Sequence, residues 1–421
     1  MMATYLKTIS SFSRNARLLL FTSALIGFAY MGIYVMLFNL YLLRLGYEPK
    51  FIGLVNAAAQ LGFALFSLPS GALGKRWGSR RMSITGLSIA ILGLGLLPLV
   101  EMLPLTWQST WLMTTYIIVW LGGGLYLVNM LPLMMAATSP TERDQVFSTR
   151  QAIIPLAGFA GSLVGGFLPG FLAKLLGSTL GQPTPYRLAL FFGAGLLVPA
   201  VLALLVTDDV ASTSVVVGQM KTSSKMTGTL PIGLMTFMAL VVFLLVAGNS
   251  TARIFFNLYL DDGLELPTFW IGMLVAIGNL LGGTIALLTP LAIARWGKGR
   301  TISVGIYGLA LSLLPLALVA HWGAAGFGFV GVTALFNFTM PALTVCQQEI
   351  VPPQWRSTMA GAVSMATGLS TAATAFGGGY LITAFGYQSL FLMGAGLAAI
   401  GATLFWGYTW VPRWVLIRRP A

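Results

Sequence analysis

Apolar positions in this chain come in long unbroken runs, and polar positions gather in short breaks between them. The runs lie near 18–43, 50–73, 82–100, 110–137, 150–174 and 186–207, then near 230–260, 269–293, 301–320, 325–348, 358–384 and 387–411. A helix needs about 20 apolar residues to cross the hydrocarbon core of a bilayer. The runs are continuously apolar rather than alternating, which favours helices over a barrel. The pattern therefore predicts an all-α integral membrane protein with about twelve transmembrane helices, here called spans one to twelve. The first run follows Lys7, Arg14 and Arg17, is too long for a signal-peptide core and has no small-residue cleavage site, so it is expected to be a retained span. Neither end carries a lipidation motif.

The pattern also repeats. The string FNLYL occurs at 38–42 and 256–260, FIG at 51–53 is echoed by WIG at 270–272, and RWG occurs at 76–78 and 295–297. The first offset is 218 residues and the other two are 219, a register that points to an internal duplication. Between the two sets of six runs lies DDVASTSVVVGQMKTSSKMTG at 208–228, the one long polar stretch and the natural linker. The expected organisation is a six-helix bundle over 1–207, a linker over 208–229 and a second six-helix bundle over 230–421.

Composition narrows the environment. Of the 421 residues 57% are hydrophobic and 8% charged, against roughly 25% charged in soluble domains. A soluble fold so poor in charge has no means of covering its surface. The net charge of +13 raises the question of nucleic acid, and the placement of the cations answers it. With the N-terminus inside, 18 Lys and Arg fall on the cytoplasmic side against Arg44, Lys50, Lys174 and Arg187 outside, with Arg253 left within a span. That bias follows the positive-inside rule, predicts two cytoplasmic termini in a multi-pass cell-membrane protein, and accounts for the basic character without nucleic acid. One cysteine, Cys346, and one histidine, His321, leave no basis for an intrachain disulfide, a metal site or a cofactor.

Six spans return the chain to its starting side, so the two halves are expected to share one orientation. Such a duplication is related by a pseudo-twofold axis along the membrane normal, as in the two halves of major facilitator transporters. The segment GALGKRWGSRR at 71–81 resembles the first cytoplasmic-loop signature of the major facilitator superfamily. Gly71, Arg76, Gly78 and Arg80 match it, whereas Lys75 stands where the family usually has aspartate and Ser79 replaces an arginine. The second-half echo PLAIARWGKGR keeps Arg295, Gly297, Lys298 and Arg300. With twelve spans and a halfway linker, the resemblance covers nearly the whole chain. It implies the fold of that superfamily, a solute site between the halves near the midplane, and a gating role for Gly71, Lys75, Arg76, Gly78, Arg80, Arg295, Gly297 and Arg300. A merely topogenic basic loop is the alternative for any one of these cations.

Polar side chains inside spans are costly and usually face the bundle interior. The repeat pairs Asn39 with Asn257, Gln60 with Asn279, and Asn129 with Asn337. The resemblance places spans one, four, seven and ten around the central cavity, helped by two, five, eight and eleven. These amides are therefore candidate solute contacts, with amide-mediated helix packing as the alternative. In span seven Asn249, Arg253 and Asn257 recur every four residues and share one helical face. A cation between amides suits a carboxylate or phosphate. Alternatively, Arg253 snorkels outward or pairs with Asp261 or Asp262. Gly161 and Gly165 in span five have the spacing of close helix contact. The ten acids all fall in or near loops, Glu349 being the nearest substitute for a coupling carboxylate.

The expected function is secondary transport of a small organic solute by alternating access, with export of an amphipathic or weakly anionic compound as the leading reading. The alternatives are an uptake facilitator or exchanger for an organic anion, and a non-transporting membrane sensor on the same fold. An enzyme would need clustered His, Asp, Glu or Cys within the spans, which the sequence does not have. The expected partners are a small-molecule substrate and the lipid bilayer, and the expected state is a monomer.

Overall fold

A computed structural model of the protein describes residues 12–139, 142–208, 232–286, 288–352 and 355–410. The expected linker lies, from residue 209 onward, outside the described residues. Among the described residues the chain is helical, without strands. The first six helices are α1 (Arg14–Arg44), α2 (Pro49–Trp77), α3 (Ser79–Leu96, extended by a tight turn to Met102), α4 (Leu105–Ala137), α5 (Arg143–Leu176) and α6 (Thr184–Val206). They are followed by α7 (Ile232–Gly263), α8 (Thr268–Ala286), α9 (Thr289–Trp296), α10 (Lys298–Leu318), α11 (Trp322–Ile350) and α12 (Arg356–Trp410).

Eleven of these stretches are long and apolar enough to cross a membrane, and the difference from twelve lies in α12. Gly386 breaks it with φ 78° and ψ 174°. An added Cβ on Gly378 would meet Leu390, twelve positions on and much too far away along a straight helix. The chain therefore doubles back at Gly386, and α12 holds spans eleven and twelve. Span eight is divided between α8 and α9, where Pro290 in the first turn of α9 offers no backbone donor to continue α8.

The protein forms two compact units. Unit 1 is Met1–Thr227 with Pro267–Ala276, and unit 2 is Gly228–Leu266 with Ile277–Ala421. Within unit 1, α1 and α5 pack at backbone distance. Gly27 faces the Ile154 carbonyl, Gly32 faces Gly161, and Gly165 faces Ile33. Beside this seam α1 widens into a π-helix over Ile26–Tyr34, with the Val35 N–H donating to the Tyr30 carbonyl. Within unit 2, α7 is enclosed by both arms of α12: Ser370 donates to the Phe243 carbonyl at 2.6 Å, and Gly248 lies against Gly394 and Ala398.

The repeat is visible in the turns. Gly78 joins α2 to α3 with φ 87° and ψ 138°, and Gly297 joins α9 to α10 with φ 78° and ψ 158°. The Gly78 N–H bonds the Gly74 carbonyl and its own carbonyl accepts from Met82, while Gly297 does the same with Ile293 and Thr301. All three positions differ by the offset of the RWG strings. Only glycine adopts this backbone region without strain.

Candidate functional site

Each unit presents its own set of polar and aromatic groups. In unit 1, Asn56 Nδ2 donates to Asn39 Oδ1 at 3.0 Å and to the Ile52 carbonyl at 2.9 Å. Asn39 is buried, so this pair ties α1 to α2. Asn56 went unremarked in the sequence, although it stands one turn before Gln60 on the same face; Gln60 itself is half-buried. Farther along, Trp120 of α4 makes edge contacts with Tyr30 (6.4 Å), Phe63 (5.6 Å) and Tyr116 (6.4 Å). Tyr30, Phe63 and Trp120 are half-buried, and form an apolar aromatic surface contributed by α1, α2 and α4. The Trp120 indole N–H is buried with no hydrogen-bond acceptor among the described residues, and the surrounding ring faces are its neighbours.

Asn129 is 2% exposed. Its Nδ2 donates to the Ser70 carbonyl at 3.2 Å and the Leu125 carbonyl at 2.9 Å, and a Cβ added at Gly74 would overlap its Oδ1. This amide is a helix tie between α4 and α2. Asn337, the amide of span ten, has the same kind of neighbour: Nδ2 stands 2.7 Å from where Gly282 would carry a Cβ. Asn337 and Asn279 are half-buried, so unit 2 keeps these two amides more open than Asn129.

Unit 2 contains the group that stands apart. From Val241 to Leu260 almost every residue of α7 is buried, and Arg253 is the single exposed position. Asn249 and Asn257, one turn to either side, are 7% and 8% exposed. Arg253 makes no ion pair or hydrogen bond among the described residues. Asp262 accepts instead from the Tyr387 hydroxyl at 2.9 Å. Gly263 ends the helix about 15 Å farther along the axis, so Arg253 does not stand at the helix terminus. Among the described residues this cation has neither a counter-ion nor a burying neighbour.

The basic turns are ordered by backbone contacts. Arg80 donates from Nη2 to the Leu205 carbonyl at 2.7 Å. Arg76 is exposed and stacks over the neighbouring Trp77 ring at 5.7 Å. Gly71 is half-buried against Val128, and the Lys75 side chain lies outside the described residues. Arg295 and Arg300 are exposed. Lys298 pairs with Glu349, whose side chain is 54% exposed. Glu349 is thus a surface partner of the second basic turn. The other carboxylates near spans also stand at helix ends: Glu101 takes Arg187 at 3.1 Å and the Tyr41 hydroxyl at 3.0 Å.

Glu142 and Ser13, 129 positions apart, are brought together by the fold, which the sequence does not reveal. Glu142 accepts from the Ser13 N–H at 2.9 Å and the Ser139 N–H at 3.0 Å. Burial pushes its carboxyl up, and these donors outweigh that and hold it below the usual glutamate range. Arg143 and Arg356 each bond a carbonyl eight residues earlier, at Met135 and Gln348, and so satisfy the ends of α4 and α11.

The sequence model described as Major Facilitator Superfamily matches residues 19–375. Among solved structures, the chain is similar to a D-xylose-proton symporter at 15% identity and TM-score 0.74, covering 93% of this chain and 97% of that one. It is similar to the nucleoside transporter NupG at 14% identity and TM-score 0.73, covering 95% and 100%. A bacterial homologue of the iron transporter ferroportin, in an inward-facing state, aligns at 15% identity and TM-score 0.69, covering 94% and 99%. The comparison with curated proteins finds no match.

Proposed function

Because the chain belongs to the major facilitator superfamily, and is a multi-pass membrane transporter of small solutes, we propose that it carries an amphipathic organic anion, by alternating access, in the direction of export. The neighbours in fold carry solutes as different as a pentose and a nucleoside, so the fold alone selects none. The observation that carries the reading is Arg253, a cation without a partner among the described residues and the single exposed position between Val241 and Leu260. Its flanking amides, Asn249 and Asn257, supply directional partners for a carboxylate or sulfonate.

The direction rests on electrostatics. The described carboxylates near spans stand at helix ends, so proton coupling has no evident carrier at depth. An uncoupled anion then follows the membrane potential. With the cytoplasm negative, each charge is driven outward by about 2.3 kcal/mol per 100 mV. The proposed orientation, with both termini cytoplasmic in the cell membrane, also concentrates anions at the basic inner face.

The test is transport in proteoliposomes preloaded with aryl and alkyl carboxylates and their neutral amides. Arg253→Ala is expected to reduce carboxylate efflux roughly tenfold, the factor that about 1.4 kcal/mol supplies, with folded yield and amide transport unchanged. Arg253→Lys is expected to retain part of the activity. Carboxylate efflux at the wild-type rate in Arg253→Ala sinks the proposal, and carboxylate binding without any flux favours the sensor reading.

A further inference from the structure

A groove of about 410 Å³ opens in unit 1 at the end of α5 that lies opposite the Gly78 turn. Its volume falls within the roughly 300–1,000 Å³ of small-ligand sites. Gly166 and Gly170 form a floor without side chains, and Phe167 and Phe171, one turn apart on α5, form one wall. Their rings stack at 5.9 Å, and they are 57% and 49% exposed. Phe269, at the start of α8, also lines the groove.

Lys174 stands at the rim of this apolar surface. It is exposed and forms no ion pair among the described residues. The N-terminus of α8, a 19-residue helix, opens onto the same groove at Pro267 and Thr268 and adds the positive end of its dipole. Thr268 is held by the Tyr186 hydroxyl at 2.8 Å, and the rim at Leu180 is fixed by Arg44, whose Nε donates to the Leu180 carbonyl at 2.7 Å. The surface around the groove is made of exposed apolar side chains, including Leu175 at 71%. On a membrane-spanning helix such side chains face acyl chains.

We propose that this groove binds an anionic phospholipid, its phosphate at Lys174 and one acyl chain along Phe167 and Phe171. The charge decides the head group, since a cation with no ion pair among the described residues, beside a helix N-terminus, selects an anion. The membrane-facing walls decide the source, since what reaches them comes from the bilayer. The floor of the groove is also where Gly166 meets Gly272 backbone to backbone, an added Cβ at Gly166 standing 2.9 Å from Gly272 Cα. A seated lipid covers that contact and stabilises it. The site does not depend on which solute is carried.

The test uses the purified full chain in neutral detergent, titrated with dioleoyl phosphatidylglycerol or dioleoyl phosphatidylcholine. Thermal unfolding and native mass spectrometry are the readouts. Phosphatidylglycerol is expected to raise Tm by roughly 2–4 °C and to leave one retained lipid, and phosphatidylcholine to do neither. Lys174→Gln is expected to lose both responses, while Arg81→Gln, an exposed cation at the other end, keeps them. The proposal fails if Lys174→Gln responds like wild type, if phosphatidylcholine matches phosphatidylglycerol, or if decyl sulfate, a soluble single-chain anion, reproduces the whole shift. Phe171→Ala reads the acyl contact separately. It should retain less phosphatidylglycerol at unchanged Tm in phosphatidylcholine, and undiminished retention overturns that part of the site.

Discussion

Gly32 of α1 and Gly161 of α5 meet backbone to backbone: a Cβ added at Gly32 would stand 2.5 Å from Gly161 Cα. Polar association between helices is weak in lipid, so a seam of this kind rests on close packing. Gly32→Ala and Gly161→Ala are each expected to destabilise unit 1 by about 1–3 kcal/mol, the usual cost of overpacking. Thermal unfolding in detergent measures it, and an unchanged midpoint in both variants contradicts the seam.

The paired turns give a second expectation. Gly78 and Gly297 occupy a backbone region that an L side chain enters at a cost of about 1–3 kcal/mol. Gly78→Ala and Gly297→Ala should lower stability by similar amounts, because nothing lies within 4 Å of either added Cβ and backbone strain is the whole effect. If either substitution proves neutral, the conformation described for that turn is wrong.

Glu142 predicts a pH dependence. Its folded carboxyl titrates below its unfolded value because the Ser13 and Ser139 N–H groups bond the charged form. The stability it contributes is present above the unfolded value, near 4.3, and disappears as pH falls through the lower folded value. Wild type should therefore exceed Glu142→Gln in Tm at neutral pH, and the gap should close in acid. A gap that widens in acid reverses the assigned sign.

Asn129 separates packing from binding. Asn129→Ala removes two bonds to backbone carbonyls and is expected to cost about 1 kcal/mol of stability. The transport rate per folded molecule should stay within about twofold, less than about 0.4 kcal/mol in effect. A large loss of rate with unchanged stability would move Asn129 from helix tie to solute contact.

The twelve spans and the duplication were legible in the sequence by itself. Runs of apolar residues report the solvent that a segment must face, and strings such as RWG keep their register through the divergence of two copies. The glycine that ends each RWG string is visible in the sequence, and the structure gives its positive φ at Gly78 and Gly297. What only the tertiary structure decided is the status of each intramembrane polar group. Asn129 and Arg253 look alike in the sequence, as polar residues within apolar helices. Asn129 is enclosed because Ser70 and Gly74, more than fifty residues earlier, bring a carbonyl and an empty space beside it. Arg253 is open because the neighbours that cover the rest of the 241–260 stretch leave its side chain uncovered. Burial depends on how a helix is rotated against partners remote in the chain, and no local pattern records that rotation.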